Sequence, residues 1–152
     1  MAYIGVFQPW LAYHGMGNQD TASSLQLRIL QRAMRMLRPG GKIVYSTCSL
    51  NPVENEAVVA EALRTIPGML LPVSLLSISY IRSGFDLVDV SESLPSLVRR
   101  PGLIKWLPTI GRDLQFFETY EQYLNSLPGG KGTARLSRSH WPPAEELGLD
   151  RW

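Results

Sequence analysis

The chain has 152 residues, which suits one domain, and 45% of them are hydrophobic, an ordinary fraction for a globular protein. Its 15 Lys and Arg against 13 Asp and Glu give a net charge of +2, so no strong overall field attracts nucleic acid and any RNA-binding face must be local. A single cysteine excludes an internal disulfide and a cysteine-based zinc site, and two distant histidines argue against a histidine-rich metal site.

The first predicted helix is capped by Ser23 or Ser24 and runs to about Leu37, where Pro39-Gly40-Gly41 stops it. Its predicted apolar stripe, widened by Leu30, consists of Leu25, Ile29, Ala33, Met36 and Leu37. Three arginines at helical spacing lie along another face: Arg28, Arg32 and Arg35. They form either a solvated helix face or a set of contacts to nucleic-acid phosphates.

A strand is predicted at Lys42–Thr47, because this short β-forming run lacks clear alternation, as expected for a strand covered on both faces. A second helix follows, with Asn51 as N-cap, Pro52 at its first position and Glu54 placed to complete a capping-box-like arrangement. Its side chains predicted to face the sheet are Val53, Ala57, Ala60 and Leu63. This helix–turn–strand–helix order is typical of a doubly wound sheet.

Further along, residues 84–90 alternate apolar and polar side chains, which predicts an edge or half-buried strand. Residues 91–152 are predicted to be mostly loop, with a short helix around Glu118–Leu127. The apolar stretch Ile66–Ile81 is interrupted by two prolines and is shorter than the roughly 20 residues that cross a bilayer, so no membrane span is predicted. Two clear strands do not make a stable sheet, so the chain is predicted to be part of a domain.

Cys48 is the main chemical signal, since it follows the predicted strand and precedes the second helix. A lone cysteine is more often a small buried hydrophobe than a nucleophile. Here the helix dipole and free N–H groups would favour a thiolate, and the neighbouring side chains are polar: Ser46, Thr47 and Ser49. A cysteine protease would need a positioned histidine, and neither His14 nor His140 has a supporting motif.

The Ser-Thr-Cys-Ser-Leu-Asn-Pro run at 46–52, within the motif at 45–56, closely resembles the second active-site motif of the Nop/Sun (RsmB-type) RNA cytosine-5 methyltransferases. The resemblance continues through 25–30, 37–41, 85–91, 100–103 and 141–143, and the later elements look most like the eukaryotic branch that modifies tRNA. It implies an α/β fold class: a partial Rossmann-like (class I) S-adenosylmethionine-dependent methyltransferase fold with an incomplete sheet.

The resemblance also implies a mechanism in which the Cys48 thiolate adds to C6 of a cytosine in RNA, with tRNA as the expected partner. C5 then takes a methyl group from S-adenosylmethionine, and loss of the C5 proton expels the thiol. The target base must leave its stack to reach the sulfur. Basic residues that could hold the RNA backbone are Arg28, Arg32, Arg99, Arg100, Lys105, Arg135 and Arg138.

Other parts of the family pattern have no match in this sequence: the glycine-rich turn that binds S-adenosylmethionine, the acidic residues that bind its ribose and adenine, and a Pro-Cys motif with a second cysteine. Residues 1–152 are therefore expected to be the C-terminal portion of a catalytic domain without its N-terminal cofactor-binding half.

Residues 69–83 are atypical for the family. They are interpreted either as an inserted or mis-joined segment or as a lineage-specific loop or extra buried strand. The alternative function is that of a catalytically inactive truncated fragment or an RNA-binding remnant. By family analogy the expected location is intracellular and nuclear, and neither a membrane nor a metal is expected as partner.

Overall fold

The computed structural model describes residues 19–66, 84–89, 91–93, 95–96, 98, 100–110, 115–129, 134–144 and 147–151. Within these ranges lie helices α1 (Gln19–Met36), α2 (Glu56–Thr65) and α3 (Tyr120–Ser126), and 3-10 turns at Ser91–Ser93, Arg138–His140 and Leu149–Arg151. Strands β1 (Thr109–Ile110) and β2 (Gln115–Phe116) pair antiparallel. None of the helices described is long and apolar enough to cross a membrane.

Helix α1 starts earlier than the sequence predicts. It begins at Gln19, so Ser23 and Ser24 lie inside the helix and neither caps it. Ser23 is instead buried, and its Oγ lies 3.1 Å from Nε2 of His140. A serine near a predicted helix start can either cap the helix or bury its hydroxyl against a tertiary partner. The sequence does not distinguish these two roles.

The buried face of α1 also differs from the predicted stripe. Leu30 and Met34 are 3% and 1% exposed and form the contact with α2, with Leu27 packed against them. The stripe residues Leu25, Ile29 and Met36 are 55%, 61% and 74% exposed, while Ala33 and Leu37 are half-buried. The helix carries two apolar sectors, and periodicity alone does not indicate which one meets α2.

A tight turn after α1 follows the predicted Pro39-Gly40-Gly41 stop. Gly40 has a φ of 75°, a left-handed conformation that glycine adopts without steric cost. A Cβ on Gly41 would lie 2.7 Å from Cγ of Leu37 and 2.9 Å from the carbonyl oxygen of Arg38. Both glycines are therefore needed to send the chain back along α1.

The predicted strand at Lys42–Thr47 is an extended segment that pairs with no strand in the described part of the chain. Its side chains alternate between half-buried and exposed positions, with Ile43 and Tyr45 against the core and Val44 70% exposed. The prediction of cover on both faces was wrong, because one face of this segment contacts the helices and the other faces solvent.

Helix α2 provides the centre of the main core. All four residues predicted to point inward are buried, namely Val53, Ala57, Ala60 and Leu63. Of these, Ala57, Ala60 and Leu63 pack in one core with residues of α1, the extended segment and Trp106, rather than against a sheet. The second predicted strand, at 84–90, is likewise unpaired where it is described, although Phe85 and Leu87 pack against this core.

A second, smaller core lies around α3, which falls inside the predicted range Glu118–Leu127. Tyr123 is 2% exposed and stacks on Trp141 with ring centroids 5.7 Å apart. The Tyr123 hydroxyl accepts hydrogen bonds from the backbone N–H groups of Arg135 and Leu136, at 2.7 and 3.2 Å. Thr119 caps α3 through the N–H of Gln122.

His140 connects the two cores. It is 4% exposed, its ring contacts Ser23 on α1, and its carbonyl oxygen accepts a hydrogen bond of 2.7 Å from Nε1 of Trp106. The next residue, Trp141, belongs to the core around α3. The incomplete parallel sheet expected from the resemblance is not found among the described residues, whose one ladder is the β1–β2 pair, and the segment 69–83 lies outside them.

Candidate active site

Cys48 lies where the extended segment ends and the chain turns toward α2. It is a free thiol with an exposed side chain. Thr47 and Ser49 on either side are half-buried, as expected where successive side chains of an extended chain point in opposite directions. The thiol therefore faces outward while both neighbours face the protein.

The turn between Cys48 and α2 resembles the predicted cap but is arranged differently. The Asn51 side-chain oxygen accepts a hydrogen bond of 3.1 Å from the N–H of Val53 and so caps the turn at 52–55. The prediction that Asn51 is the N-cap of α2, with Pro52 at the first helical position, was wrong, because Asn55 occupies the N-cap position. Residues 52–55 form a turn, and α2 begins at Glu56. The N–H groups of Val53, Glu54, Asn55 and Ala57 already donate to acceptors within 51–52, so this end of the helix has fewer free donors for a thiolate than the sequence predicts.

Glu54 does not close the predicted capping box with Asn51. Its carboxylate accepts hydrogen bonds of 3.1 Å from the Ser49 hydroxyl and 3.3 Å from the Gln26 amide. The N–H of Asn51 donates to the Ser49 oxygen instead, at 3.1 Å. Ser49 thus stands between the two groups of the expected box, and Glu54 links the Cys48 loop to α1.

Tyr45 is hydrogen-bonded to the same turn from the extended segment. Its hydroxyl donates a hydrogen bond of 2.6 Å to the carbonyl oxygen of Glu54. Burial raises the pKa of Tyr45 above its ordinary value, and the Glu54 carboxylate adds to the increase. The phenol therefore stays protonated and keeps its donor at every pH at which a thiolate chemistry would operate.

Asn55 is a residue that the sequence analysis did not single out. It is 1% exposed, and its side-chain amide donates a hydrogen bond of 2.8 Å to the carbonyl oxygen of Ser49. Its amide oxygen accepts a hydrogen bond from the Thr47 hydroxyl. The available signal was an asparagine close to a helix start, where its side chain competes with backbone hydrogen bonding.

A second loop is tied to the same end of α2. The carboxylate of Glu56, itself buried, accepts a hydrogen bond of 3.1 Å from the N–H of Leu103. Arg100 and Lys105 flank that contact and are exposed. The structure thus places these two predicted RNA-binding residues on a loop that is bonded to the residue after Asn55.

The segment that carries Cys48 also matches a known protein family. Residues 17–93 match the family described as 16S rRNA methyltransferase RsmB/F. The match covers just over half of the chain and includes the Cys48 loop and both helices beside it. The chain belongs to the RsmB/F methyltransferase family.

Curated relatives of this RsmB/F chain carry related names. It is 40% identical over 124 residues to the multisite-specific tRNA:(cytosine-C(5))-methyltransferase of Schizosaccharomyces pombe, covering 81% of this chain and 15% of the relative. The corresponding enzyme of Saccharomyces cerevisiae is 39% identical over 73% of this chain and 13% of its own length. A tRNA (cytosine(34)-C(5))-methyltransferase of Drosophila melanogaster is 33% identical over 78% and 14%.

The chain thus spans about 15% or less of the length of these RsmB/F-like relatives. No solved structure matches it. The resemblance predicted from the motif at 45–56 is confirmed at the level of the family.

The other predicted RNA-binding residues of this RsmB/F chain lie elsewhere. Arg28 and Arg32 are exposed on α1. Arg28 follows Gln26, which contacts Glu54, by two residues, and Arg32 follows Leu30, which contacts α2, by two residues. A separation of two residues is a rotation of about 200° around a helix, so both arginines point away from the turn and from α2. Arg135 and Arg138 are exposed near the core around α3. Arg99 lies outside the described residues.

Two cavities in the described part of the chain lie away from Cys48. A small cavity of about 20 Å³ lies between α1, α2 and the turn at 139–140, and a groove lies between α2 and residues 137–144, but Cys48 lines neither. Their linings include Ser23, Glu61, Arg64 and His140. Nor does the described part of the chain contain a cluster of three residues suited to hold a metal ion.

Proposed function

We propose that this chain supplies the thiol nucleophile of an RNA cytosine-5 methyltransferase whose substrate is tRNA. The observation that carries the proposal is Cys48, an exposed thiol between two anchored neighbours, within the segment that matches the RsmB/F family. The substrate is inferred from relatives named for methylation of tRNA at cytosine C5.

The chemical step assigned to the chain is addition to the base. C5 of cytosine is a poor nucleophile, and a thiolate that bonds to C6 moves the C5–C6 electron pair onto C5. C5 uses that pair to bond to the methyl group. When C5 later loses its proton, the C5–H electron pair restores the C5–C6 double bond, and the sulfur leaves as a thiolate with the electrons of the S–C6 bond. S-adenosylmethionine supplies the methyl group in this family, and the role proposed for this chain concerns the sulfur alone.

The proposal can be tested without the methyl donor by using tRNA that contains 5-azacytosine. Addition of the Cys48 sulfur to C6 of that base places the electron pair on N5, which takes a proton from water and leaves a covalent adduct. We expect the full chain to form an adduct that survives denaturing electrophoresis. The variants Cys48→Ala and Cys48→Ser should form none.

Two controls make the outcome specific. The same tRNA with ordinary cytosine should give far less stable adduct, and iodoacetamide should alkylate the wild-type thiol in the absence of RNA. An adduct that persists in Cys48→Ala would contradict the proposal. So would a wild-type chain whose thiol is alkylated but never bonds to the modified tRNA.

The second candidate is a catalytically inactive fragment or RNA-binding remnant. It is supported by the position of Cys48 outside both cavities described and by exposed apolar side chains, among which Val44 is 70% and Leu50 73% exposed. This reading predicts that wild type and Cys48→Ala bind tRNA equally and that neither forms an adduct. Filter binding alongside the adduct assay separates the two functions.

For the RNA contact we propose the loop that carries Arg100 and Lys105. Its link to Glu56 keeps both cations close to the turn that presents Cys48. Leu103 and Ile104 between them are 46% and 57% exposed, which gives apolar surface on which an unstacked base can pack. Arg28 and Arg32 lie on the far side of α1 and are not part of this proposed contact.

A further inference from the structure

Asn55 is hydrogen-bonded to the residues on both sides of Cys48. Its amide nitrogen donates to the carbonyl oxygen of Ser49 at 2.8 Å, and its amide oxygen accepts from the Thr47 hydroxyl. The residue itself is 1% exposed and leads directly into α2, where its carbonyl oxygen accepts the N–H of Val59 at 3.1 Å. One side chain therefore connects the thiol-bearing loop to the helix.

A buried amide is costly unless both its donor and its acceptor are satisfied. The two side-chain hydrogen bonds of Asn55 go to Thr47 and Ser49, which flank Cys48, and neither involves the thiol. A second bond, from the N–H of Ser49 to the Thr47 hydroxyl at 3.2 Å, closes the loop upon itself. An orientation of residues 47–49 that breaks these bonds would leave the buried amide of Asn55 without its partners.

We propose that Asn55 is a positioning residue for Cys48: by bonding to Thr47 and Ser49 it holds the thiol on the outer face of the loop at a fixed orientation toward the base. The inference rests on the proposed function for its role in addition to cytosine. A displacement of about 1 Å at a reacting group can reduce a rate by about 100-fold. Asn55 contributes no atom to the reaction itself.

The test compares Asn55→Ala and Asn55→Asp with a matched control in α2. Aspartate keeps an acceptor for Thr47 but lacks the donor and turns a negative charge toward the Ser49 carbonyl. Val59→Ala removes a side chain that is 0% exposed one turn further along, without touching the loop by a side-chain hydrogen bond. The thermal midpoints of all variants are measured so that the loss of stability can be matched.

The first readout is the adduct with 5-azacytosine tRNA. We expect both Asn55 variants to lower the rate at saturating RNA by roughly 10-fold to 100-fold, with the half-saturating RNA concentration unchanged. Val59→Ala should keep the wild-type rate at temperatures where it remains folded. Equal rates in Asn55→Ala and wild type, or an equal loss in Val59→Ala, would overturn the inference.

The second readout does not depend on RNA. A trifluoroethylthio label on Cys48 should give one narrow ¹⁹F line in the wild-type chain and in Val59→Ala, and a broadened or multiple signal in the Asn55 variants. If the wild type forms no adduct, the proposed function fails while the ¹⁹F spectra still decide whether Asn55 orders the loop. An unchanged line in Asn55→Asp would refute that ordering.

If Asn55→Ala does not fold, the same contact is reached from its other partner. Thr47→Val removes the hydroxyl that donates a hydrogen bond to Asn55, and Thr47→Ser keeps that hydroxyl. The valine variant should reproduce the slower addition and the broadened line, and the serine variant should restore both. Two indistinguishable threonine variants would contradict a role for this hydrogen bond.

Discussion

At the scale of single residues, Tyr45 and Glu54 show how the Cys48 loop is held from inside the protein. The Tyr45 hydroxyl donates to the backbone of Glu54, and the Glu54 carboxylate accepts from Ser49 and Gln26. These bonds connect the extended segment, the loop and α1 through one acidic residue. None of them involves the thiol, which remains free for an external partner.

The raised pKa of Tyr45 leads to a prediction about alkaline stability. The unfolded chain loses the phenolic proton near pH 10, and the folded chain loses it only at higher pH. The contribution of Tyr45 is therefore complete below about pH 10 and is lost as the pH rises toward the folded-state pKa. Urea unfolding should show that the free energy of unfolding falls more steeply above about pH 10 in the wild type than in Tyr45→Phe.

At neutral pH the same variant isolates the hydrogen bond to Glu54. Losing it should cost about 1 kcal/mol of unfolding free energy. The two proteins differ only at this phenol, so the difference between the two curves reports on Tyr45 alone. Parallel curves across the alkaline range would show that this phenol is not protected.

At the scale of elements, α1 has two apolar sectors that can be distinguished by mutation. Leu30 is 3% exposed against α2, whereas Ile29 is 61% exposed on the predicted stripe. We expect Leu30→Ala to lower the free energy of unfolding by about 2–5 kcal/mol and Ile29→Ala by less than about 0.5 kcal/mol. Denaturant midpoints of the two variants measure this, and the opposite ranking would show that the predicted stripe is the buried one.

The sequence was informative where local chemistry decides the structure. The Pro39–Gly41 turn and the inward residues Ala57, Ala60 and Leu63 of α2 follow from backbone and side-chain rules that act within a few positions. The predicted Asn51 cap did not hold, since α2 begins only at Glu56. The orientation of α1 did not follow, because it depends on which sector meets a helix located twenty residues further along. The extended segment at 42–47 was predicted as a fully covered strand because the run of Ile43, Val44 and Tyr45 does not reveal which face is left open.

The candidate site divides in the same way. Cys48 was found from its position between a predicted strand and a helix, and the family match supports its segment. Asn55 was missed because its function depends on partners at 47 and 49 that only the folded turn brings together. The sequence indicated Ser49 only as a polar neighbour of Cys48. Its bonds to Glu54 and Asn51, which replace the predicted contact between those two residues, were missed for a similar reason.

At the scale of the whole molecule, a net charge of +2 makes RNA binding depend on a few local cations. Lys105→Gln should weaken tRNA binding and reduce the magnitude of the logarithmic salt slope by about 1, because one phosphate contact is lost. Arg28→Gln, on the far side of α1, serves as the control and should leave the slope unchanged. Filter binding over a salt series measures the affinity and the slope for both variants. Weaker binding and a smaller slope in Arg28→Gln alone would show that the RNA contacts α1 instead of the loop at 100–105.

The contact between Ser23 and His140 joins residues 117 positions apart, and Trp106 completes the same connection. On a ribosome that adds roughly 5–20 residues per second, α1 and α2 would emerge several seconds before these partners. During that interval the helix pair would lack the residues that later seal it, and nascent chains would be exposed to chaperones and proteases. The order of synthesis, as well as the final packing, therefore determines how much of this protein reaches its folded form.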